Sequence, residues 1–424
     1  MGRTETRGRI VIDTGDTAFI IICTAMVFIM TPGLAFFYGG MVRRKNVLNT
    51  MFMSLMVCGV AGLLWIVFGY SIAFGGSGEG AVIGGFDRFF LNGLTPDTVR
   101  DGTTLPELAY VGFQGMFALI TIAIISGSVV ERMRFSRFVI FVICWMALVY
   151  APLAHMVWGG GIIAQLGALD FAGGDVVHIS SGVTGLVLCL LVGARRGHGL
   201  LSYHPHNIPF VLLGTALLWF GWFAFNAGSA LAANGLAAHA FITTFAASAT
   251  GICMWMLVER IATGKPTLMG ACTGCLAGLV VITPGAGFVS VWAAVVEGII
   301  VVPIVYFCIT KLKKRIGYDD ALDAFGCHGI GGIVGGICTG LFTTPELAAQ
   351  EGMVGLIYGN GSLMLAQLEG IGITLVLVVV ATLVIGGLIK LIGGDLRVGT
   401  KEEANGLDRG EHNESAYPAF QGLD

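Results

Sequence analysis

Charged side chains are scarce in this sequence. They make up 12% of its 424 residues, whereas soluble domains carry about twice that share, so they cannot cover a water-soluble surface of this size. Apolar residues come in long blocks, for example at 19–37, 140–157 and 370–391, and a membrane-spanning helix needs roughly 20 mostly apolar residues. The sequence therefore predicts an all-α polytopic membrane protein, because a β-barrel would show short alternating segments instead.

Patterns of catalytic and cofactor chemistry are also missing. The sequence has no nucleophile motif, metal-binding cluster or cofactor loop, and no basic patch outside its loops that would favour nucleic acid. The C-x-x-C of Cys272 and Cys275 falls inside an apolar block, which favours packing over a redox or metal site. We predict a protein that is not an enzyme and that needs no metal, cofactor or nucleic-acid partner.

Glycine, by contrast, is abundant, with 65 residues. Close packing of helices in lipid favours small residues at the contacts. We therefore expect most of these glycines to lie where helices approach each other.

The polar breaks between the apolar blocks define the predicted topology. Eleven spans are predicted, at approximately 17–40, 48–74, 109–130, 138–162, 172–194, 208–229, 240–260, 268–283, 288–310, 325–342 and 367–392. With eleven spans, 18 basic residues fall on one side and five, including Arg3, Arg7 and Arg9, on the other. The positive-inside rule then puts the N-terminus outside and the C-terminus in the cytoplasm. We expect a transmembrane domain over 1–396 in the cell membrane and a cytoplasmic tail over 397–424.

An internal echo suggests that the chain contains two copies of one unit. Asp170-Phe-Ala-Gly-Gly-Asp-Val-Val-His178 opens the fifth span, and Asp323-Ala-Phe-Gly-Cys-His328 opens the tenth. The copies would cover about 17–194 and 208–342, with 367–392 as a final helix. Because five is an odd number of spans, the copies have opposite orientation. Inverted repeats place a transport site near the bilayer midplane, at the interface between the repeats.

His178 and His328 occupy matching positions in this echo. Ionisable residues inside spans are costly, but histidine can stay neutral and can share or pass a proton. Either histidine alone is better explained as a structural residue bonded to a neighbouring carbonyl. For the repeat-related pair we favour two imidazoles that meet in a pore and share one N–H···N hydrogen bond.

Aromatic residues cluster at the outer ends of several predicted spans. A small cation over aromatic faces gains about 0.5–2 kcal/mol, and a serine hydroxyl can accept a hydrogen bond from it. An aromatic belt or core is the better explanation for any single one of them. The residues that would form a vestibule are Phe113, Phe117, Trp158, Trp222, Phe225 and Ser229.

Two acidic residues accompany the fifth span. Asp170 can cap the helix N-terminus or attract a cation to the outer mouth, and the sequence does not separate these roles. Asp175 lies within a turn or two of His178, either at the outer surface or as a charge near the pore.

Several long motifs, taken in order, resemble the ammonium transporter (Amt/Mep/Rh) family. They are the 170–178 segment quoted above, Ala154-His-Met-Val-Trp158, Gly221-Trp-Phe-Ala-Phe-Asn-Ala-Gly-Ser229 and Phe325-Gly-Cys-His328-Gly. The likeness runs from Pro32-Gly in the first span to Gly406-Leu-Asp and Ala416-Tyr in the tail. Asp175 and Met116 depart from the residues that are familiar in this family at their positions.

The resemblance implies roles for individual residues. Phe113, Phe117, Trp158 and Ser229 fall on the family's outer recruitment site, and Asp170 on its conserved-motif carboxylate. Phe117 and Phe225 fall on its phenyl gate, and His178 and His328 on its twin-histidine pair, with Trp222 beside the pore. The resemblance also implies a homotrimer with one pore per subunit. A trimeric P-II signalling protein, docking on the cytoplasmic face, is a possible partner.

The function that follows is transport of ammonium, or of its analogue methylammonium. Ammonium would bind at the vestibule and lose its proton, and ammonia would cross past the histidines, with net movement of charge. One alternative is passive conduction of ammonia or carbon dioxide. A different class is an ammonium sensor, which would act through a separate partner because the tail after Arg397 has fewer than about thirty residues.

Overall fold

The chain folds into a bundle of long helices. The structure, a computed structural model, describes residues 12–76, 80–200, 203–350 and 352–417, and these contain no β-strand. Ten described helices are long and apolar enough to cross a bilayer, and a shorter apolar helix lies between the seventh and the last three. In chain order they are α1 (Thr14–Met41), α2 (Arg44–Phe74), α3 (Glu107–Val129), α4 (Phe135–Gln165), α5 (Gly174–Val192), α6 (Ile208–Gly228), α7 (Gly235–Thr263), the short α8 (Leu268–Ile282), α9 (Val291–Ile316), α10 (Phe325–Phe342) and α11 (Ser362–Gly393).

The short helix α8 occupies the position of the eighth predicted span. Its 15 residues rise about 22 Å, which is less than the roughly 30 Å of a bilayer core. Residues 283–289 continue from it as irregular backbone that is almost wholly buried. Irregular backbone is tolerated at membrane depth when protein surrounds it. Here it lies against the start of α5, where Phe171 donates its backbone N–H to Pro284 O (2.9 Å).

Glycines mark the closest helix crossings, as the composition predicted. A Cβ atom built on Gly182 of α5 would lie 2.2 Å from the Gly329 nitrogen of α10, and one on Gly214 of α6 would lie 2.3 Å from the Phe37 nitrogen of α1. A larger residue at either position would push the two backbones apart. The packing role predicted for the glycines is confirmed at these crossings.

The C-terminal segment folds back onto one end of the bundle, which we call the tail face. It forms two short helices, α12 (Thr400–Asn405) and α13 (Leu407–His412). Leu407 donates its N–H to Asn46 Oδ1, and Asn49 donates its N–H to Asp408 Oδ1, both at 2.9 Å. The tail is therefore bonded to the start of α2. The predicted tail residues 418–424 and the three N-terminal arginines lie outside the described residues.

A buried cluster of ion pairs joins the loops of the tail face. Arg195 contacts both Asp319 (Nη2 to Oδ1, 2.8 Å) and Glu131 (Nη1 to Oε2, 3.1 Å), and Arg43 reaches the same Glu131 oxygen at 2.9 Å. Burial alone would raise the pKa of the Asp319 carboxyl, but the hydrogen bonds and charge of Arg195 outweigh it and hold that pKa well below its usual range. The cluster, here called the arginine–carboxylate cluster, ties the loops after α1, α3, α5 and α9 together.

Asp319→Asn should destabilise the fold by about 3–5 kcal/mol at neutral pH, because it leaves the buried Arg195 without its main partner. The lowered pKa of Asp319 means that its stabilising effect is present above the pKa of an unfolded aspartate and is lost as pH falls through the folded-state value. Thermal unfolding in detergent should therefore show wild type and variant converging in strong acid. Glu346→Gln, at an exposed site, is the matched control. A constant difference at all pH values would contradict this account.

Candidate functional site

Two imidazole rings meet inside the bundle. His178 Nδ1 lies 3.2 Å from His328 Nδ1, and the ring centroids are 5.3 Å apart at an interplanar angle of 30°. Both side chains are buried, at 1% and 5% exposure. Since one nitrogen of such a contact must donate and the other must accept, at least one ring is neutral. The N–H···N contact expected from the sequence is present in the structure.

Each histidine lies in a π-helical segment at the start of its helix. The segments are Gly174–Ile179 in α5 and Phe325–Ile330 in α10. The wider π-helical turn changes the direction of the side chains, and such turns are frequent at functional sites. A Cβ built on Gly332 would lie 3.0 Å from His178 Cβ, so the absence of a side chain there lets α10 pack directly against the first histidine.

Aromatic rings continue the line of the histidines. Trp222 stacks on His178 at 5.3 Å and 20°, and Phe225 lies 6.2 Å from the same ring. Phe225 stacks on Phe117 at 4.0 Å and 20°, which makes a double phenyl layer. Trp222 Nε1 donates to Thr283 Oγ1 (2.9 Å), so the irregular segment after α8 fixes the orientation of that indole. All four aromatic and imidazole side chains are buried.

The remaining predicted vestibule residues lie beyond this layer. Phe113 and Trp158 contact Phe117, with centroid distances of 4.9 and 5.9 Å. Ser229 follows the end of α6 and donates its hydroxyl to Phe225 O (2.9 Å), which leaves the lone pairs of its oxygen as acceptors. The structure thus brings Phe113 and Trp158 each into contact with Phe117, and it bonds Ser229 to Phe225, which completes the phenyl layer.

Asp170 caps the π-helical segment of His178. Its Oδ1 accepts from Gly173 N (2.7 Å) and Gly174 N (2.6 Å), and its Oδ2 accepts from Asp175 N (2.8 Å) and Val176 N (3.4 Å). Four orphan N–H groups of the helix start are satisfied in this way. Of the two roles that the sequence left open, the structure gives Asp170 the cap. Trp158 Nε1 donates to the backbone oxygen of Asp170 (2.8 Å), which connects the cap to the vestibule.

The matching cap in α10 is Asp320, and the pairing of Asp170 with Asp323 read from the sequence is wrong. Asp320 accepts from Ala324 N (3.2 Å) and Phe325 N (2.8 Å). It follows Asp170 by the same number of residues that separates the two histidines. Asp323 has φ 60° and stands where α5 has Gly173 with φ 121°. The sequence comparison matched the two segments by their Phe and Gly residues. The backbone turn that the segments share places the capping carboxylate at Asp320, three residues before Asp323.

A cavity of about 540 Å³ reaches His328 from the tail face. Cys327 and Tyr38 line it near the histidine, and Lys314, Glu259 and Tyr203 line it farther out. Sequence reasoning did not select these residues, because a single basic, acidic or aromatic residue at the end of a span gives no local signal of its own. The two ends of the histidine pair therefore differ: packed aromatic rings adjoin His178, and an open cavity adjoins His328.

Comparison with known proteins gives a consistent result. The sequence profile of the Ammonium Transporter Family matches residues 18–417. The chain is 50% identical over 403 residues to an ammonium transporter of Bacillus subtilis, covering 95% of this chain and 98% of the relative. The crystal structure of Saccharomyces cerevisiae Mep2 superposes with a TM-score of 0.85 at 34% identity, over 92% of this chain and 89% of that one. A sensor Amt protein superposes with a TM-score of 0.86 at 26% identity, over 94% and 98% of the chains.

Asp170→Ala should lower the free energy of unfolding by at least about 2 kcal/mol, because it leaves buried backbone N–H groups without an acceptor. Asp170→Asn keeps one carbonyl oxygen, so its loss should be smaller. Asp320→Ala is the matched variant in α10, and it removes two backbone hydrogen bonds where Asp170→Ala removes four. Thermal unfolding of purified protein measures all three. Wild-type stability of Asp170→Ala would refute the capping role.

Proposed function

The chain belongs to the ammonium transporter family, and from this premise we propose that it recruits ammonium at an outer aromatic vestibule, removes its proton there and conducts ammonia past His178 and His328. As a member of this family it is a multi-pass protein of the cell membrane and not an enzyme. The observation that carries the proposal is the buried imidazole pair, with a phenyl layer on one side and a cavity on the other.

Recruitment rests on the chemistry of the vestibule residues. A cation beside the faces of Trp158 and Phe113 gains about 0.5–2 kcal/mol, more as it loses water. The oxygen of Ser229 accepts a hydrogen bond from ammonium. Potassium has a similar size but donates no hydrogen bond, so it cannot make the directed N–H···O contact to this oxygen, and the site favours ammonium over it.

The proton is lost because the path beyond the vestibule disfavours charge. Phe117 and Phe225 are stacked in contact and buried, and moving an unpaired ion into such surroundings costs several kcal/mol. Ammonia carries no charge and avoids this cost. The neutral histidine pair offers it both a donor and an acceptor. We propose that the proton crosses separately, so that transport is electrogenic.

We also propose the topology that the sequence indicates. Eleven spans form if α8 and the buried residues 283–289 together cross the membrane. The matching Asp170 and Asp320 caps and the two π-helical segments support inverted repeats. The tail face, which holds the arginine–carboxylate cluster, is then cytoplasmic. In this proposal three subunits assemble into a trimer, and a P-II signalling protein docks on that face.

A second candidate function is that of an ammonium sensor. It is favoured by the fold match to a sensor Amt protein, at a TM-score of 0.86. Uptake of methylammonium into proteoliposomes separates the two functions, because a pure receptor binds the cation without moving it. We place transport first, since the named relatives with higher sequence identity are ammonium transporters.

Currents on solid-supported membranes test the proposal directly. Ammonium pulses should give a current with purified wild-type protein, and potassium pulses should give none. His178→Ala or His328→Ala should reduce the ammonium current by about 10²-fold or more, the usual contribution of a positioned proton-transfer group. The exposed His204 provides the control variant His204→Ala. Ammonium uptake without any current would exclude the electrogenic route, and a full current in His328→Ala would remove the histidines from it.

Ser229→Ala should weaken apparent ammonium affinity by about three- to tenfold, because one hydrogen bond contributes about 0.5–1.5 kcal/mol. The maximal current should change less than the affinity, since the gate and the histidines are intact. A concentration series of ammonium pulses gives both quantities. Ser415→Ala, on the exposed tail, is the control. Unchanged affinity in Ser229→Ala would place the recruitment site elsewhere.

A further inference from the structure

Asp175 is a buried carboxyl that the transport scheme leaves without a role. It lies three residues before His178, and its side chain is 6% exposed. Its Oδ1 is buried and has no hydrogen-bond partner among the described residues. A buried polar atom in this condition carries a cost, so its presence beside the histidine calls for a physical reason.

The carboxyl of Asp175 faces the last helix. A Cβ built on Gly370 of α11 would lie 3.9 Å from Asp175 Oδ2. The Thr374 hydroxyl, one turn farther along α11, is the polar neighbour of the carboxyl. This hydroxyl is itself fully buried and also has no hydrogen-bond partner in the described chain. Two orphaned polar groups on facing elements can satisfy each other through a rotation of the threonine side chain.

The neighbouring Asp170 decides which of the two carboxyls carries a proton. Asp175 donates its own N–H to Asp170 Oδ2 (2.8 Å), so both carboxyls occupy one buried turn. Two such carboxylates do not both stay ionised. Asp170 accepts four backbone N–H groups, which stabilise its negative charge. The proton therefore belongs on Asp175, where its O–H can donate to Thr374 Oγ1.

We propose that protonated Asp175 is a positioning residue, which holds the π-helical segment of His178 against α11 through Thr374. The proposal rests on the transport function proposed above. When Asp175 ionises, its repulsion of Asp170 loosens the turn whose N–H groups are capped, and the first histidine moves with it. Transport should then fail at alkaline pH although the pore residues are unchanged.

No other titratable group near this turn is paired with Asp175. The helices packed against this turn carry further titratable groups, but none of them is a hydrogen-bond partner of the Asp175 side chain. They include Glu107 and Tyr110 on α3, Tyr150 and His155 on α4, Cys272 and Cys275 on α8, Cys327, His328 and Cys338 on α10, and Glu369 and Lys390 on α11. Gln367 bonds Leu169 through both its amide atoms (2.6 and 2.9 Å), so α11 already contacts the segment before the cap. Asp175 and Thr374 extend this contact to the segment that bears the histidine.

The test compares the pH dependence of ammonium current in Asp175→Asn, Thr374→Val and wild type, at constant ammonium concentration. Wild-type current should fall about tenfold per pH unit beyond the titration midpoint, as expected for a single group. Asp175→Asn keeps a neutral side chain of the same shape, so its current should persist at alkaline pH. Thr374→Val removes the polar partner of the Asp175 carboxyl on α11, so the midpoint of its alkaline loss of current should move. Glu369→Gln, an exposed carboxyl on α11, should behave as wild type.

Infrared difference spectra of the same proteins make the outcome independent of transport. Wild type should show a protonated-carboxyl band that disappears on alkalinisation, and Asp175→Asn should lack it. Absence of this band from wild type overturns the proposal whether or not current is measured. The proposal is also overturned if the pH dependence of the current in Asp175→Asn is the same as in wild type. If Asp175→Asn does not fold, the proposal is overturned when Thr374→Val loses its current at the same alkaline pH as wild type. Loss of wild-type current at every pH, with the band present, refutes the transport function instead.

Discussion

The contact between the His178 and His328 imidazoles, 3.2 Å apart, is the interaction on which the rest of the site depends. Such a contact forms only where two helix starts approach almost to backbone distance. Gly182 and Gly329 permit this approach, because a Cβ on Gly182 would lie 2.2 Å from the Gly329 nitrogen. Glycine at this helix crossing is therefore what allows the two histidines to meet, since larger side chains there would hold the rings apart.

Close approach of the helices does not by itself fix the positions of the imidazole rings. The capping carboxylates of Asp170 and Asp320 fix the turns that bear them. A helix start buried in protein exposes N–H groups that water cannot reach. Asp170 and Asp320 satisfy these groups in α5 and α10, and each carboxylate also fixes the turn from which its histidine projects. The irregular segment after α8 adds a third constraint, because Thr283 orients Trp222 and Pro284 contacts the start of α5. These buried polar residues thus orient the imidazole and indole rings of the site.

The sequence predicted the parts of this arrangement that have a local signature. Apolar blocks gave the helices, and the repeated motif gave both histidines. The aromatic residues beside them were found from their place at the outer ends of the predicted spans and from the family resemblance. It mispaired Asp323 with Asp170, because the turn shared by the two halves is defined by backbone dihedral angles and not by the letters Phe-Gly. It also missed Tyr203, Lys314 and Glu259 at the cavity, since their proximity depends on how distant spans pack. The eighth predicted span, 268–283, agrees with the short α8, but the sequence did not show that 283–289 would continue as buried irregular backbone, because such backbone is as apolar as a helix.

The two segments that bear the histidines share a backbone turn but not an electrostatic environment. In α10 the residue that matches Asp175 is Phe325, whose ring packs on Tyr318 at 6.1 Å. Asp323 beside it pairs with Lys313 at 2.6 Å, and the 540 Å³ cavity opens from there to the tail face. A charge is thus paired near His328, whereas near His178 two carboxyls share a site without a cation. In the scheme proposed above, protonation of Asp175 therefore acts on the segment of His178, whereas the segment of His328 has its own ion pair.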